Sequence, residues 1–264
     1  MKADSSQCIE ILRLQSRTPT SKILVSCPSL RISAGKIVGI LGTNGAGKTS
    51  LLKCLQGLIR YEGEIRICGQ SLESLSPLER SLKVTYLGRD LKPEFPFEVS
   101  AVLDQGFFGL DKTILNTSET ETHWNHVVNQ LKVNNLLHRD VSTLSAGEWG
   151  RVTLARTFLR KARVTCLDEA LSALDLDGLG RALELMLEYR KQGSNFLIVS
   201  HDWNLLAECA DEIIAMKDGC VLTQGLPSDI LTEKILRELF PDELNLRFNL
   251  SSGPNPRIQF KNKL

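Results

Sequence analysis

A glycine-rich segment of the chain matches a phosphate-binding pattern along its whole length. Residues 42–49 read GTNGAGKT, which is G-x-x-x-x-G-K-[ST], between the apolar run KIVGIL (36–41) and a predicted helix. Backbone N–H groups of such a loop curl around phosphate oxygens, and the helix start adds partial positive charge. The residues of this predicted nucleotide site are Gly42, Thr43, Asn44, Gly45, Ala46, Gly47, Lys48, Thr49 and Ser50.

Two neighbouring carboxylates, Asp168 and Glu169, come directly after the apolar run VTCL (164–167). A buried charge is costly unless a metal, a donor or a reaction needs it, whereas acidic residues at the plain end of a strand are common. The phosphate loop favours the first interpretation, because a magnesium nucleotide at one strand end needs a carboxylate from a neighbouring strand end.

These residues predict a division of chemical roles. The Lys48 ammonium neutralises the β- and γ-phosphates, and the Thr49 hydroxyl and Asp168 carboxylate ligate Mg²⁺. Glu169 polarises the attacking water as a general base. The residues therefore predict a nucleoside triphosphate and Mg²⁺ as the bound groups, and the base is identified as adenine, making the cofactor ATP, only by the family resemblance described below.

The charge balance and the cysteines limit the range of functions. The chain of 264 residues has 32 Lys and Arg against 31 Asp and Glu, so no global field attracts nucleic acid and we expect no nucleic-acid partner. The pair His123 and His126 has no cysteine partners, so a solvated helix face is favoured over a zinc site. Seven cysteines are odd in number and widely spaced, as expected of reduced thiols in a cytosolic protein: positions 8, 27, 54, 68, 166, 209 and 220.

The hydropathy pattern indicates neither a signal peptide nor a membrane span. The start MKADSSQCIE has no apolar run of signal-peptide length, and no stretch approaches the roughly 20 apolar residues of a spanning helix. We therefore expect a protein that is soluble or is held to a membrane by a partner.

The elements that must position the site form a parallel α/β pattern. Predicted strands at 36–41, 63–69, 82–87, 164–167 and 195–200 surround a stretch of longer helical patterns. The helix after the phosphate loop is indicated by Leu51, Leu52, Leu55, Leu58 and Ile59. We predict a single domain over 1–264, with a catalytic core at about 1–88 and 162–225, a helical subdomain at about 89–161, and a tail at about 226–264 holding a helix near 232–240 and a half-buried strand at 244–250.

Three further motifs give the chain a family resemblance. LSAGE (144–148), SALD (172–175) and SHD (200–202) follow in the order in which the ATP-binding subunits of ABC transporters carry such motifs, and the resemblance covers nearly the whole chain. It implies an α/β fold with a P-loop NTPase (RecA-like) core, an inserted α-helical subdomain and an N-terminal antiparallel β region.

The resemblance also implies roles in a dimer. Ser145 to Glu148 read as a local capping box, and in the family the same helix start faces the γ-phosphate of ATP on a second subunit. It assigns trans nucleotide binding to Ser145, Ala146, Gly147 and Glu148, dimer coupling to Asp175, and catalytic γ-phosphate contact to His201. The implied partners are a second ATPase subunit, integral membrane permease subunits and, for an importer, a substrate-binding protein, at the cytoplasmic face of the inner membrane.

The finer resemblance concerns the cargo. LSAGEWGRVTLA, FPFEVSAVLDQG and GLPSDILTEKILRELF are similar to importer ATPases for iron-siderophores, haem or cobalamin. The runner-up is a haem-export or cytochrome c maturation ATPase, which lacks a tail of this length. Two further interpretations are a soluble ABC-type ATPase, as in iron–sulfur assembly, and a regulatory cassette that binds ATP without turnover.

Two departures from the family pattern leave more than one interpretation open. Arg89 stands where the family has a glutamine that meets the metal, and a guanidinium cannot ligate Mg²⁺. Either Arg89 turns towards the γ-phosphate or a partner residue while water fills the metal position, or Asp90 becomes the ligand. No aromatic residue precedes Tyr61, so Arg17 either stacks on the adenine or is an exposed loop arginine. We expect hydrolysis that is slow or partner-dependent.

Overall fold

A computed structural model describes residues 7–88, 93, 95–110, 117–240, 248–250 and 258–260, the last two segments by backbone. Ten strands form one sheet in the order β5-β4-β1-β2-β10-β9-β3-β8-β7-β6. They are β1 (Gln7–Arg17), β2 (Ile23–Ser33), β3 (Ile37–Leu41), β4 (Glu62–Ile67), β5 (Gln70–Ser71), β6 (Val84–Leu87), β7 (Val164–Asp168), β8 (Asn195–Val199), β9 (Glu212–Lys217) and β10 (Cys220–Gly225).

The sheet has a parallel half and an antiparallel half. Strands β9, β3, β8, β7 and β6 pair in parallel, and every residue of β3, β7 and β8 is buried, as expected of a parallel sheet covered on both faces. Strands β1, β2, β4 and β5 pair antiparallel, which confirms the N-terminal antiparallel region.

Helices cover the sheet and occupy much of the described part of the segment between β6 and β7. The described α-helices are α1 (Lys48–Gln56), α2 (Pro77–Lys83), α3 (Val99–Asp104), α4 (Ser118–Gln130), α5 (Ala146–Leu159), α6 (Leu176–Lys191), α7 (Trp203–Cys209), α8 (Pro227–Ile230) and α9 (Glu233–Leu239). The α/β class with an inserted helical subdomain is therefore confirmed. The subdomain boundaries proposed from the sequence stay predictions.

The helix after the phosphate loop is shorter than its apolar pattern predicts. It ends at Gln56 because Gly57 adopts a left-handed conformation, with φ of 71°, and its N–H bonds the carbonyls of Cys54 and Lys53. Leu58 and Ile59 therefore lie beyond the helix, so their inclusion in it was wrong, and Leu58 is 58 % exposed. The predicted strands at 63–69 and 82–87 are also shorter, as β4 ends at Ile67 and β6 begins at Val84.

The solvated-face interpretation of the two histidines is wrong for His123. Both lie on α4, but His123 is buried and within hydrogen-bond distance of the Tyr189 hydroxyl, at 3.3 Å. Burial lowers the pKa of His123 to about 4, so the ring is neutral at pH 7. His126 is exposed as expected and contacts Glu188 at 2.8 Å.

The tail contains the predicted helix as α9, followed by two short strands. Strands β11 (Phe248–Leu250) and β12 (Ile258–Phe260) pair antiparallel with each other, in a sheet separate from the main one. Only the last part of the strand predicted at 244–250 falls within the described residues.

The buried face of α6 gives a test of the packing. Leu185 and Leu187 lie on this helix with 1 % and 42 % of their surfaces exposed. Leu185→Ala is expected to lower the free energy of unfolding by about 3 kcal/mol, because it leaves a cavity in the core. Leu187→Ala is the matched control, with an expected loss below about 1 kcal/mol. Urea unfolding followed by circular dichroism measures both, and equal losses would contradict the orientation of α6.

Candidate nucleotide-binding site

The phosphate loop joins the carboxyl end of β3 to the start of α1. A side-chain carbon added to Gly42 would lie 2.3 Å from the Met216 carbonyl oxygen. Gly47 has φ of 92°, and an added carbon would lie 2.5 Å from the Leu24 carbonyl oxygen. Larger residues at these two positions would therefore push the loop away from its neighbours, so the close approach of the backbone explains both glycines.

A cavity of about 340 Å³ lies over this loop. Asn44 to Ser50 line one side of it, the strand-end residues Asp168, Glu169 and Val199 line another, and Thr18, Lys22, Ile23 and Leu24 complete it. The first turn of α1 carries no acidic residue of its own, and Lys48 there adds its positive charge to the partial positive charge of the helix start. The cavity therefore suits an anionic ligand.

The Lys48 side chain is folded back over the loop. It is 7 % exposed, and its Nζ donates to the carbonyl oxygens of Gly42 at 2.7 Å and Thr43 at 2.9 Å. These bonds hold the ammonium beside the loop, where it can neutralise phosphate charge.

A short hydrogen bond brings the phosphate loop to the end of β7. The Thr49 hydroxyl donates to Asp168 Oδ2 at 2.6 Å across 119 positions of sequence, and Asp168 is only 8 % exposed. Hydroxyl and carboxylate oxygens are ligands that Mg²⁺ prefers. The donor set present at this point therefore fits a magnesium ion.

Tyr86 also contacts this carboxylate, which the sequence analysis missed. Its hydroxyl donates to Asp168 Oδ2 at 2.9 Å from the neighbouring strand β6. Gly88 leaves room for the phenol, since an added carbon there would lie 2.8 Å from the Tyr86 hydroxyl. Burial and the hydrogen bond to Asp168 raise the pKa of Tyr86, so the phenol stays a proton donor. The available signal was an aromatic residue near the end of the strand predicted at 82–87.

The second carboxylate, Glu169, contacts His201, the residue predicted to meet the γ-phosphate. His201 Nε2 lies 2.8 Å from Glu169 Oε1. Glu169 has a left-handed backbone with φ of 59°, and its N–H donates to the Val199 carbonyl at 3.0 Å, which fixes the turn at the end of β7. Glu169 lines both the phosphate-loop cavity and an adjoining one of about 270 Å³ that His201 also lines. The pair therefore lies beside the space for the phosphates.

The LSAGE motif (144–148), here called the signature segment, forms the predicted capping box at the start of α5. Ser145 Oγ accepts from the Glu148 N–H at 3.2 Å, and Glu148 Oε2 accepts from the Ser145 N–H at 2.7 Å. These hydrogen bonds lower the pKa of Glu148, which also pairs with Arg139 at 2.8 Å. Ser145 and Ala146 are exposed, and Ser145 to Glu148 do not line the phosphate-loop cavity of their own chain.

The remaining predicted site residues have diverse positions. The Asp175 side chain accepts from the Gly178 N–H at 2.8 Å and caps α6. Arg17 donates to the Ser21 carbonyl at 3.0 Å and is not among the residues that line the cavity, although the neighbouring Thr18 is. Base stacking by Arg17 stays a prediction. Arg89 and Asp90 lie outside the described residues, so both hypotheses about the metal position stay open.

Comparison with known proteins decides the family. Residues 25–172 match the family model described as ABC transporter. The hemin import ATP-binding protein of Aliivibrio fischeri is 31 % identical over 224 residues, covering 83 % of this chain and 85 % of the relative. The chain belongs to the ABC transporter family. Its family membership identifies it as an ATP-binding subunit with ATPase activity coupled to transport.

Further relatives match over most of their length. The vitamin B12 import ATP-binding protein of Vibrio cholerae is 27 % identical over 252 residues, which is 93 % of this chain and 98 % of the relative. Among solved structures, an ABC transporter ATP-binding cassette in its ADP conformation is 18 % identical with a TM-score of 0.75, covering 90 % of this chain and 99 % of that one. At this identity the structure supports the ABC ATPase fold alone. Within the described residues, no helix is both long and apolar enough to span a membrane.

Two glycines give a test of the phosphate loop in this ABC transporter subunit. Gly42→Ala forces the loop away from Met216, so we expect ATP affinity to fall by about tenfold or more. Gly180→Ala is the matched control, because Gly180 lies in α6 with open space around the added carbon. It should preserve affinity and raise stability by up to about 1 kcal/mol. Calorimetric titration with ATP measures the affinities, and unchanged affinity in Gly42→Ala would contradict the loop geometry.

Proposed function

We propose that this chain binds and hydrolyses Mg-ATP to power import of an iron-siderophore, haem or cobalamin-type substrate through membrane permease subunits. The observation that carries the ATPase site is the hydrogen bond from Thr49 to Asp168, because it brings a phosphate loop and a strand-end carboxylate to one point. The cargo class is supported by the hemin and vitamin B12 import relatives. These relatives favour an importer over cytochrome c maturation and over a soluble ABC-type ATPase.

In this proposal, separate residues bind the phosphates, bind the metal and accept the proton. The loop N–H groups and Lys48 hold the phosphates, while Thr49 and Asp168 hold Mg²⁺. When bound, the metal would neutralise phosphate charge that develops during transfer. Glu169 accepts a proton from the attacking water at a carboxylate oxygen, and His201 orients that carboxylate through the 2.8 Å contact. His201 also contacts the γ-phosphate in this proposal.

The position of the signature segment supports a functional dimer. Ser145 and Ala146 are exposed at the start of a helix of 14 residues, away from the nucleotide cavity of their own chain. Two copies arranged head to tail would each offer this helix start to the phosphates of the other. Asp175, which caps the next helix, would couple the two sites.

Exposed aromatic residues support a membrane-protein partner. Phe95, Phe97 and Phe108 are 72 %, 49 % and 74 % exposed, so they offer apolar surface that a partner could bury. We assign them to docking of the permease subunits, at the cytoplasmic face of the inner membrane. A substrate-binding protein would deliver the cargo on the other side.

Substitution of the proposed base tests the ATPase and its partner. Glu169→Gln removes the proton acceptor and should slow ATP hydrolysis by about 100-fold or more while ATP still binds. Glu208→Gln, an exposed change on α7, is the matched control and should hydrolyse ATP at the wild-type rate. The readouts are phosphate release and calorimetric ATP binding, and hydrolysis by Glu169→Gln at the wild-type rate would contradict the assigned base.

The same variant can capture the partner. Glu169→Gln, tagged and extracted gently from its native cells with ATP present, is expected to bring a multi-span membrane protein with it, as identified by mass spectrometry. Recovery of soluble iron–sulfur or ribosomal partners without a membrane protein would refute the transporter proposal.

Loss of the Tyr86 hydroxyl tests the metal site. Tyr86→Phe removes one donor from Asp168 and should raise the Mg²⁺ concentration for half-maximal Mg-ATP binding by about fivefold. Tyr189→Phe is the control, because that hydroxyl bonds His123 and the Phe158 carbonyl away from the site. Nucleotide binding titrated with Mg²⁺ is the readout. A response of Tyr86→Phe equal to that of Tyr189→Phe would exclude a positioning role for Tyr86.

A further inference from the structure

Two cysteines that are 60 positions apart in sequence meet at the end of the β1–β4 strand pair. Ile9 of β1 pairs with Ile67 of β4, so the next pair outwards is Cys8 with Cys68. The Cys68 N–H donates to the Cys8 carbonyl at 2.7 Å, and the two Sγ atoms are 3.2 Å apart. Directly opposed residues of antiparallel strands have Cα atoms about 4.5–5.5 Å apart, which lies within the range that a disulfide spans.

The two thiols differ in access and in acidity. Cys8 is 2 % exposed, whereas Cys68 is exposed at the turn after β4. The hydrogen bond with Cys8 and the positive charges of Arg163 and Lys83 lower the pKa of Cys68 to about 6. The same hydrogen bond, together with burial, raises the pKa of Cys8. The accessible sulfur is therefore the nucleophilic thiolate, and the buried sulfur keeps its proton beside it.

Among the described residues, the other cysteines do not share this arrangement, because none of them contacts a second thiol. Burial raises the pKa of four thiols, each without a cysteine contact in that part of the chain: Cys27, Cys54, Cys166 and Cys209. Cys220 is exposed like Cys68, but no thiol of the described segments lies beside it. Cys220 is therefore a matched control for exposure alone.

We propose that Cys8 and Cys68 form a reversible dithiol–disulfide site whose co-substrate is a small disulfide such as oxidised glutathione. The Cys68 thiolate attacks one sulfur of the small disulfide, which forms a mixed disulfide and releases one thiolate. That thiolate takes the Cys8 proton, and the Cys8 sulfur attacks Cys68 and expels the second thiolate. The second thiolate takes from water the proton that Cys68 had released, so two protein thiols are oxidised and one small disulfide is reduced to two thiols. The nearby Cys8 sulfur makes the second step intramolecular.

The position of the Cys8–Cys68 disulfide predicts how oxidation affects the melting temperature and the affinity for ATP. It would tie β1 to β4 and close a chain loop from Cys8 to Cys68 that contains the phosphate loop, so the melting temperature should rise. The Arg17 end of β1 approaches the nucleotide cavity, and Cys8 lies about 30 Å away along the strand. ATP affinity should therefore stay unchanged. The proposal is independent of the transport function.

Mass spectrometry of the reduced full-length protein in glutathione redox buffers tests the site. The wild type should lose two hydrogen atoms of mass and yield one cross-linked peptide pair joining Cys8 to Cys68, reversed by dithiothreitol. Cys220→Ser should behave identically. The absence of this cross-link, or its formation by other cysteines, would overturn the proposal.

Single variants and labelling kinetics separate the two steps. Cys8→Ser should retain one glutathione on Cys68, because the resolving sulfur is missing, whereas Cys68→Ser should gain none at Cys8. In wild-type protein at pH 6, Cys68 should react with iodoacetamide at least about tenfold faster than Cys220. This measurement needs no substitution in the strand pair, and equal rates would contradict the proposed thiolate.

Discussion

The arrangement of the site depends on one geometric constraint: parallel strands end at the same edge of a sheet. Strands β3, β7 and β8 lie side by side, and each delivers one part of the chemistry at its carboxyl end. β3 leads into the phosphate loop, β7 ends in Asp168 and Glu169, and β8 leads to His201. The 2.6 Å bond between Thr49 and Asp168 is the direct result of this alignment.

Burial of the strands makes the positions of these side chains precise. Every residue of β3, β7 and β8 is buried, so a shift of register would draw flanking polar residues such as Lys36, Arg163 and Ser200 into the core. The polar groups at the strand ends are instead held by specific partners, namely Thr49 and Tyr86 for Asp168 and His201 for Glu169. The core thus holds in place a site that consists mostly of strand ends and loops.

The two edges of the structure have different chemistry. The carboxyl edge of the parallel strands gathers oxygen donors and the lysine around a cavity suited to phosphates. At the Cys8 end of β1, the thiols of Cys8 and Cys68 meet, and the positive charges of Arg163 and Lys83 favour a thiolate there. Because about 30 Å of strand separates them, redox chemistry at one edge can proceed without displacing the nucleotide at the other.

The sequence by itself determined the phosphate loop, the acidic pair and the α/β class, because these depend on local patterns: a continuous motif, apolar runs and helical spacing. It also predicted the capping box of Ser145 and Glu148, whose partners are three positions apart. Only the tertiary structure decided contacts between distant segments, such as Tyr86 with Asp168, buried His123 with Tyr189, and Cys8 with Cys68. The physical reason is that strand order and register are set by packing of the whole core, which no local pattern specifies.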